Sequence, residues 1–191
     1  MSHEIEIEFK NLLTKQEFAL FHDFFQSFSK KQITQINHYF ETPSFSLKNK
    51  GAALRIREKG NDFTVTLKQP NPDGAGLLET HQVISAHETT DWFDNKINPD
   101  HELATALTRL GIKITQLRYG GKLQTNRTEF EYKDTLVVLD HSFYNGQEDY
   151  ELELECKEEN YGESIFNELL KKFAIPRRKT MNKIERFYHT L

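Results

Sequence analysis

The segment from residue 4 to residue 10 alternates strictly between charged and apolar side chains. Successive side chains of a β-strand point to opposite faces, so one face of this segment carries three glutamates and Lys10, while the other face is apolar. Neighbours on one face lie about 6.8 Å apart, and carboxylates this close repel one another unless a cation lies between them. The same alternation is also typical of an ordinary strand with one solvated face, so its meaning depends on whether it recurs.

The alternation does recur, and acids and bases are segregated among the later segments. We predict eight strands, near residues 3–10, 33–41, 51–58, 62–69, 78–86, 119–132, 134–141 and 149–157. Acidic side chains concentrate on the first and last of these strands, whereas basic ones concentrate on the third, fourth and sixth. Carboxylates ligate Mg²⁺ or Mn²⁺, and arginine binds phosphate oxygens. The pattern therefore predicts a site for a polyphosphate that carries its own divalent metal.

Two arrangements of these strands fit the pattern. An open sheet would place its apolar face against helices and leave its charged face in water. A sheet closed on itself would turn the charged face inward, with the helices outside. Short connections, such as residues 59–62 and 133–134, favour antiparallel hairpins. Eight antiparallel strands can close into a barrel wide enough for one small ligand, and closure removes the exposed sheet edges.

Four helices are predicted between and after the strands. Residues 14–17 form a capping box that precedes five phenylalanines at helical spacing. A second helix is bracketed by Asn98 as N-cap, Pro99 at the first helical position and Gly111 past its end. A third helix is predicted near residues 161–173, and a fourth ends the chain.

Composition excludes several functional classes. The 191 residues are 28% charged and 37% hydrophobic, as in a soluble globular protein, and we find no internal domain boundary. The formal net charge of −4 provides no basic field for nucleic acid, and no apolar run approaches the roughly 18 residues of a membrane span. The single cysteine, Cys156, excludes an internal disulfide and fits a reducing compartment. We therefore expect a cytoplasmic protein that binds neither nucleic acid nor membrane; a homodimer is left open.

Taken together, these motifs resemble the CYTH superfamily of triphosphate tunnel metalloenzymes, and in particular its bacillus-type branch. The family hallmark on the first strand, ExExK, matches Glu6-Ile7-Glu8-Phe9-Lys10. Later family positions are matched in chain order by Arg55, Arg57, Lys68, Glu79, Arg127, Asp140, Glu153 and Glu155, and the basic C-terminal segment by residues 178–183. The resemblance implies an α+β fold over residues 1–191 as one domain, a closed eight-stranded antiparallel β-barrel, or tunnel, with a charged interior and helices packed outside.

The resemblance also implies roles for these residues. The expected metal ligands, for Mg²⁺ or Mn²⁺, are Glu6, Glu8, Asp140, Glu153 and Glu155. The expected substrate-binding residues are Lys10, Arg55, Arg57, Lys68, Glu79, Arg127, Lys179 and Lys183. The expected catalytic residues are Glu6, Glu8, Lys10 and Arg127. The implied activity is metal-dependent hydrolysis of inorganic tripolyphosphate, or of an organic or nucleoside triphosphate, without a covalent intermediate.

Two other functions stay open at this point. A class IV-type adenylate cyclase, which converts ATP to cyclic AMP, needs the same metals and basic residues, so the motifs do not separate it from a hydrolase. A non-catalytic sensor of nucleotide or polyphosphate is kept open by Thr125, because many family members carry a lysine at this position, two residues before Arg127. Few aromatic or amide groups on the charged faces suit a nucleobase, which favours hydrolysis of a bare or minimally substituted triphosphate.

Overall fold

The computed structural model describes residues 3–191, with side chains described from Ile5 onward. Over these residues the chain forms eight strands, β1 (His3–Leu13), β2 (Lys30–Glu41), β3 (Ala53–Lys59), β4 (Asp62–Pro70), β5 (Leu77–Ile84), β6 (Arg118–Tyr132), β7 (Thr135–Tyr144) and β8 (Gln147–Cys156). It also forms five α-helices, α1 (Lys15–Phe25), α2 (Ala86–Phe93), α3 (His101–Arg109), α4 (Glu159–Lys172) and α5 (Lys183–His189). All eight predicted strands are present.

The eight strands close into an antiparallel barrel in the order β1-β5-β4-β3-β2-β6-β7-β8. The prediction of a closed barrel is therefore confirmed, and the open sheet is excluded. Short turns set the register of the hairpins. Lys133 and Asp134, which join β6 to β7, both adopt the left-handed conformation, with φ of 47° and 56°. Two such residues make a turn whose twist matches that of antiparallel strands.

The chain also divides into two compact units, each with its own core. Unit 1 comprises residues 35–123 together with the start of β1, and unit 2 comprises residues 6–34 and 124–191. That residues 1–191 form a single domain remains a prediction.

The core of unit 1 lies between its strands and helices α2 and α3. Leu54 and Ile56 of β3 and Val65 and Leu67 of β4 are fully buried, and Trp92 of α2 packs in the same cluster. These residues occupy alternate positions of their strands, so the intervening side chains lie on the opposite face. Burial of the apolar face against helices is what aims the charged side chains of unit 1 into the barrel.

The core of unit 2 repeats this arrangement with other elements. Phe21 and Phe25 of α1 and Phe166 of α4 are buried in one cluster with Leu152 and Leu154 of β8. The helix α1 begins at the predicted capping box, in which both reciprocal hydrogen bonds form. In each unit the helices cover the apolar face of the strands. The charged face is therefore the interior of the barrel, as predicted.

The helices differ from the prediction in two places. The second predicted helix, here α3, begins two residues late, because Asp100 rather than Asn98 is its N-cap. The helix α2 is absent from the predicted set and replaces the end of the strand expected to reach residue 86. Its signal was present in the sequence, since Ser85 and Glu88 form a capping box.

A close approach between α4 and β8 leads to a prediction about stability. A Cβ atom added at Gly162 would lie 2.2 Å from Cys156 Sγ and 3.1 Å from the ring of Phe9. Glycine to alanine in a helix normally stabilises it by about 1 kcal/mol. We expect Gly162→Ala instead to lower the free energy of unfolding, measured in urea, by about 1–3 kcal/mol, because the contact is overpacked. The double variant Gly162→Ala, Cys156→Ala should lose less free energy of unfolding than the two single variants together. A Gly162→Ala variant that is more stable than the wild type would contradict this packing.

Candidate functional site

Arg127 is the centre of a charged network on the interior face of unit 2. The strand register places Arg127 of β6 opposite Asp140 of β7, and Asp140 opposite Glu151 of β8. Arg127 binds Asp140 in a bidentate manner, with Nε donating to Oδ1 at 2.8 Å and Nη2 donating to Oδ2 at 2.7 Å. Nη2 also donates to Glu153 Oε2 at 2.6 Å. One guanidinium thus orients carboxylates from two neighbouring strands.

The C-terminal helix α5 supplies two more cations to this network. Lys183 places its Nζ 2.8 Å from Asp140 Oδ2 and donates hydrogen bonds to Glu151 and Glu153. Arg186, one turn later, donates from Nη1 to Glu151 Oε2 at 2.7 Å. Arg186 also donates from Nε to Asp149 Oδ2 at 2.8 Å, so three cations face four carboxylates. An unpaired charge in this buried place would be strongly destabilising.

Glu153 and Lys183 remain ionised at neutral pH, whereas burial raises the pKa of the neighbouring Glu151 to about 7. Burial acts to raise the pKa of Glu153, but the charges of Lys183 and Arg127 hold it well below its usual range. Burial likewise opposes the charge of Lys183, yet Asp140 and the neighbouring glutamates keep the pKa of this lysine well above its usual range. The oxygens of Asp140, Glu151 and Glu153 lie within 4.8 Å of one another, close enough to hold a metal ion. In this structure the ammonium of Lys183 contacts all three of these carboxylates.

The next carboxylate along β8 is in a different electrostatic environment. Glu155 lies directly opposite Glu8 of β1, and its Oε1 is 3.9 Å from Arg127 Nη1. Burial, followed by the negative charges of Glu6, Glu153 and Glu8, raises the pKa of Glu155 to about 7. Like charges directly opposite each other destabilise a sheet. A divalent cation would relieve this repulsion, and the all-carboxylate donor set fits a hard cation.

Lys10, the lysine of the ExExK motif, links β1 to the C-terminal helix. Its Nζ donates to Glu8 Oε1 at 3.0 Å and to the side-chain oxygen of Asn182. Asn182 is the N-cap of α5, the helix that carries Lys183. The motif lysine therefore contacts both a motif glutamate and the segment that completes the charged network.

In unit 1 the predicted basic residues lie on adjoining strands. The register places Arg55 opposite Thr66 and Thr66 opposite His81, while Lys68 faces Glu79. The Nζ of Lys68 is 3.0 Å from Glu79 Oε1, and Nε2 of His81 is 3.2 Å from Glu79 Oε2. Burial acts to raise the pKa of Glu79, yet the charges of Arg55, Lys68 and His81 lower it to about 2. Glu79 is therefore a permanent anion among cations.

The structure brings most of the predicted residues together within the two units. In unit 1 the interior face carries Arg55, Arg57, Lys68 and Glu79, and in unit 2 it carries Glu6, Glu8, Lys10, Arg127, Asp140, Glu153 and Glu155, which Lys183 joins from α5. Lys179 is exposed. Sequence reasoning missed Glu151 and Arg186 as members of the network. Glu151 shares the parity of Glu153 and could have been found, whereas Arg186 lies on a helix and carries no such signal.

Comparison with known proteins identifies the family. The CYTH domain profile matches residues 4–188. The chain belongs to the CYTH family. It is 48% identical over 188 residues to the Bacillus subtilis protein named "Putative triphosphatase YjbK", and the match covers 98% of this chain and 96% of that protein.

Solved structures of CYTH-type proteins have the same fold. A Bacillus halodurans structure described as a "putative adenylate cyclase" is 44% identical, with a TM-score of 0.90, and the match covers 98% of this chain and 100% of that chain. The Hippeastrum protein HpAC1, described as a "putative adenylyl cyclase" that "reveals a dominant triphosphatase activity", is 21% identical with a TM-score of 0.79, over 97% of this chain and 96% of that one. Across residues 3–191, the helices are too short or too polar to cross a membrane.

Thr125 occupies the position at which many CYTH proteins are expected to carry a lysine. It is fully buried, and its Oγ1 lies 3.1 Å from Oγ of Ser142, which is also fully buried. The two residues are opposite each other in the β6–β7 register, next to the pair of Arg127 and Asp140. A compact hydroxyl pair thus fills the place of a longer cationic side chain.

The first prediction for this CYTH site concerns the neutralisation of the network. Lys183→Met leaves three buried carboxylates with one cation fewer, so we expect the free energy of unfolding to fall by about 3–5 kcal/mol. Lys179→Met removes an exposed lysine four residues earlier and should change stability by less than about 0.5 kcal/mol. Urea denaturation in EDTA measures both. Equal stability of the two variants would show that the contacts of Lys183 contribute little.

A second prediction concerns pH in the absence of divalent metal. Because the pKa of Glu155 is raised from 4.5 to about 7 in the folded chain, unfolding releases a proton between these values. Stability should therefore fall as pH rises through this window and level off above it. Between pH 5 and pH 8, we expect Glu155→Gln to remove about 2–3 kcal/mol of this decline. Denaturation curves in EDTA at several pH values test this. If the stability of Glu155→Gln falls with pH as much as that of the wild type, other groups cause the fall.

Proposed function

We propose that this CYTH protein is a triphosphatase, which hydrolyses a phosphoanhydride bond of inorganic tripolyphosphate, or of an organic or nucleoside triphosphate, with Mg²⁺ or Mn²⁺. The observation that carries the proposal is the opposition of the half-buried carboxylates of Glu8 and Glu155, with a pKa of about 7 for Glu155. Such a site is stabilised by a divalent cation. The triphosphatase name of the 48% identical Bacillus subtilis relative supports the same activity. We also propose that the protein is located in the cytoplasm.

In this proposal Glu6, Glu8 and Glu155 hold the metal. When bound, the cation neutralises these carboxylates and stabilises negative charge on the phosphates. Carboxylate oxygens from two adjoining strands offer ligands from different directions, as a hard cation requires. Lys10, held by Glu8, is placed to donate to a phosphate beside them.

The other two predicted metal ligands, Asp140 and Glu153, have a supporting role in this proposal. Both are bound to Arg127 and Lys183. We propose that Asp140 and Glu153, themselves held by Lys183, fix the guanidinium of Arg127 beside Glu155. Its remaining nitrogen, Nη1, then faces the reacting phosphates. A fixed positive charge of this kind stabilises charge that develops during phosphoryl transfer without having to reorganise.

The phosphate chain itself is bound by the basic residues of unit 1. Arg55 and Arg57 offer planar guanidinium groups that match phosphate oxygens, and Lys68 offers a compact positive charge. Glu79 contributes to substrate binding through Lys68, which its carboxylate holds at 3.0 Å. That the carboxylates of unit 2 and the cations of unit 1 serve one substrate rests on the family to which the chain belongs.

Adenylate cyclase activity is the second candidate. The observation in its favour is the description of the 44% identical Bacillus halodurans structure as an adenylate cyclase. A site that selects adenine would bring stacking or paired hydrogen bonds to the base. The interior face of unit 1 carries threonines, such as Thr64 and Thr66, beside its charged groups, and these suit phosphates. The amide of Asn37 lies on the same face, but its oxygen accepts from Arg57 Nε at 3.1 Å. Hydrolysis is therefore the preferred reaction.

A substrate panel tests the proposed function. Purified full-length protein is incubated with tripolyphosphate, thiamine triphosphate, ATP and GTP, each with Mg²⁺ or Mn²⁺, and both phosphate and cyclic AMP are measured. We expect phosphate release from tripolyphosphate, none in excess EDTA, and no cyclic AMP from ATP. Glu6→Gln and Glu155→Gln should each reduce activity by more than about tenfold. Glu148→Gln, which removes an exposed carboxylate bonded to His141, is the matched control and should have full activity.

Thermal unfolding provides a readout that does not depend on turnover. Mg²⁺ should raise the melting temperature of the wild type by mass action, and should raise that of Glu155→Gln less. Full activity in EDTA would overturn the metal site. Cyclic AMP as the main product, with tripolyphosphate inert, would establish the cyclase instead. Tight tripolyphosphate binding with no turnover of any substrate would establish the sensor.

A further inference from the structure

We propose that His81 is an additional substrate-binding residue, which contacts the same phosphate as Arg55. The inference rests on the proposed function and deepens it, because His81 is absent from the residues that the family resemblance implies. Its side chain is 19% exposed, the same fraction as that of Lys68, so both side chains retain access to a ligand.

The strand register places His81 and Arg55 on either side of a small residue. Arg55 is opposite Thr66 and Thr66 is opposite His81, so the three side chains form one row across β3, β4 and β5. Adjacent strands are about 4.8 Å apart, which puts the backbones of Arg55 and His81 about 9.6 Å apart. The residue between them, Thr66, has a short side chain that carries a hydroxyl. Arg55 and His81, as hydrogen-bond donors on either side of the Thr66 hydroxyl, suit the oxygens of a tetrahedral phosphate.

Arg55 has an unused donor in this row. Among residues 3–191, the buried Nε–H of Arg55 has no hydrogen-bond acceptor. Buried donors are nearly always satisfied, so an exception calls for a ligand or water. A phosphate oxygen is the acceptor that a guanidinium binds best. The row therefore presents a buried donor at one end and an imidazole at the other.

Two neighbours hold the imidazole of His81 in place. Its Nε2 is 3.2 Å from Glu79 Oε2, and its Nδ1 is 3.0 Å from Thr66 Oγ1. Because an ionised carboxylate can only accept, Nε2 carries a hydrogen. In the doubly protonated form, His81 keeps its bond from Nε2 to Glu79 and donates from Nδ1 to the phosphate. The hydroxyl of Thr66 is then free to rotate and donate to the same phosphate.

The test measures tripolyphosphate affinity and steady-state kinetics of the full-length protein. We expect His81→Ala to weaken tripolyphosphate binding, measured by calorimetry in EDTA, about tenfold and to raise KM by a similar factor with Mg²⁺, whereas kcat changes less than about twofold. His81→Gln keeps a donor and should retain part of the affinity. The matched control is His141→Gln, which removes another imidazole bonded to a carboxylate, Glu148 at 2.7 Å, and should bind like the wild type.

A double-mutant cycle separates direct contact from support of Glu79. If His81 contacts phosphate, His81→Ala weakens binding in a Glu79→Gln background as well, by a smaller factor than in the wild type because the two side chains are in contact. If its effect disappears in Glu79→Gln, His81 acts only through Glu79 and the inference is wrong. If the wild type binds tripolyphosphate and His81→Ala binds it with the same affinity, this inference is wrong and the proposed function stands. A wild type that neither binds nor hydrolyses tripolyphosphate overturns the proposed function as well.

Discussion

The interior of this barrel depends on the neutralisation of carboxylates that two neighbouring strands, β7 and β8, place side by side. Three cations reach Asp140, Glu151 and Glu153 from other elements, and two of the three come from the C-terminal helix α5. Without them, burial of three negative charges would exceed what the apolar core of unit 2 can offset. The ordering of the last turns of the chain is therefore coupled to the integrity of the barrel wall.

The cations neutralise the carboxylates of unit 2 unevenly, and this difference shifts the pKa values of Glu153 and Glu155 in opposite directions. Around Glu153 the cations balance the carboxylates, whereas around Glu155 negative charge dominates and raises the pKa to about 7. Unit 1 shows the opposite imbalance, because the carboxylate of Glu79 has two cationic side chains, Arg55 and Lys68, and the imidazole of His81 around it. The charged face of unit 2 thus favours a cation, and the charged face of unit 1 favours an anion.

Local sequence pattern predicted the strands well because each strand has one face against helices and one face inside the barrel. Alternation is then obligatory, and the segment 4–10 shows it in its simplest form. The pattern was less informative for the helices. Asn98 and Asp100 are both suitable N-caps for α3, and the structure uses Asp100. The helix α2 has few apolar residues, so its capping box at Ser85 and Glu88 was the main available signal. The family resemblance supplied the roles of the residues, and these roles remain proposals.

The sequence by itself determined which side chains share a face, since parity along a strand follows from backbone geometry alone. It therefore identified Glu6 and Glu8 on the first strand and Glu153 and Glu155 on the last as a possible acidic group before any fold was known. Only the tertiary structure decided which charges meet, because the register between strands and the path of α5 depend on long-range packing. That is why the contacts of Arg186 with Glu151, and of His81 with Thr66 and Glu79, emerged only from the folded chain.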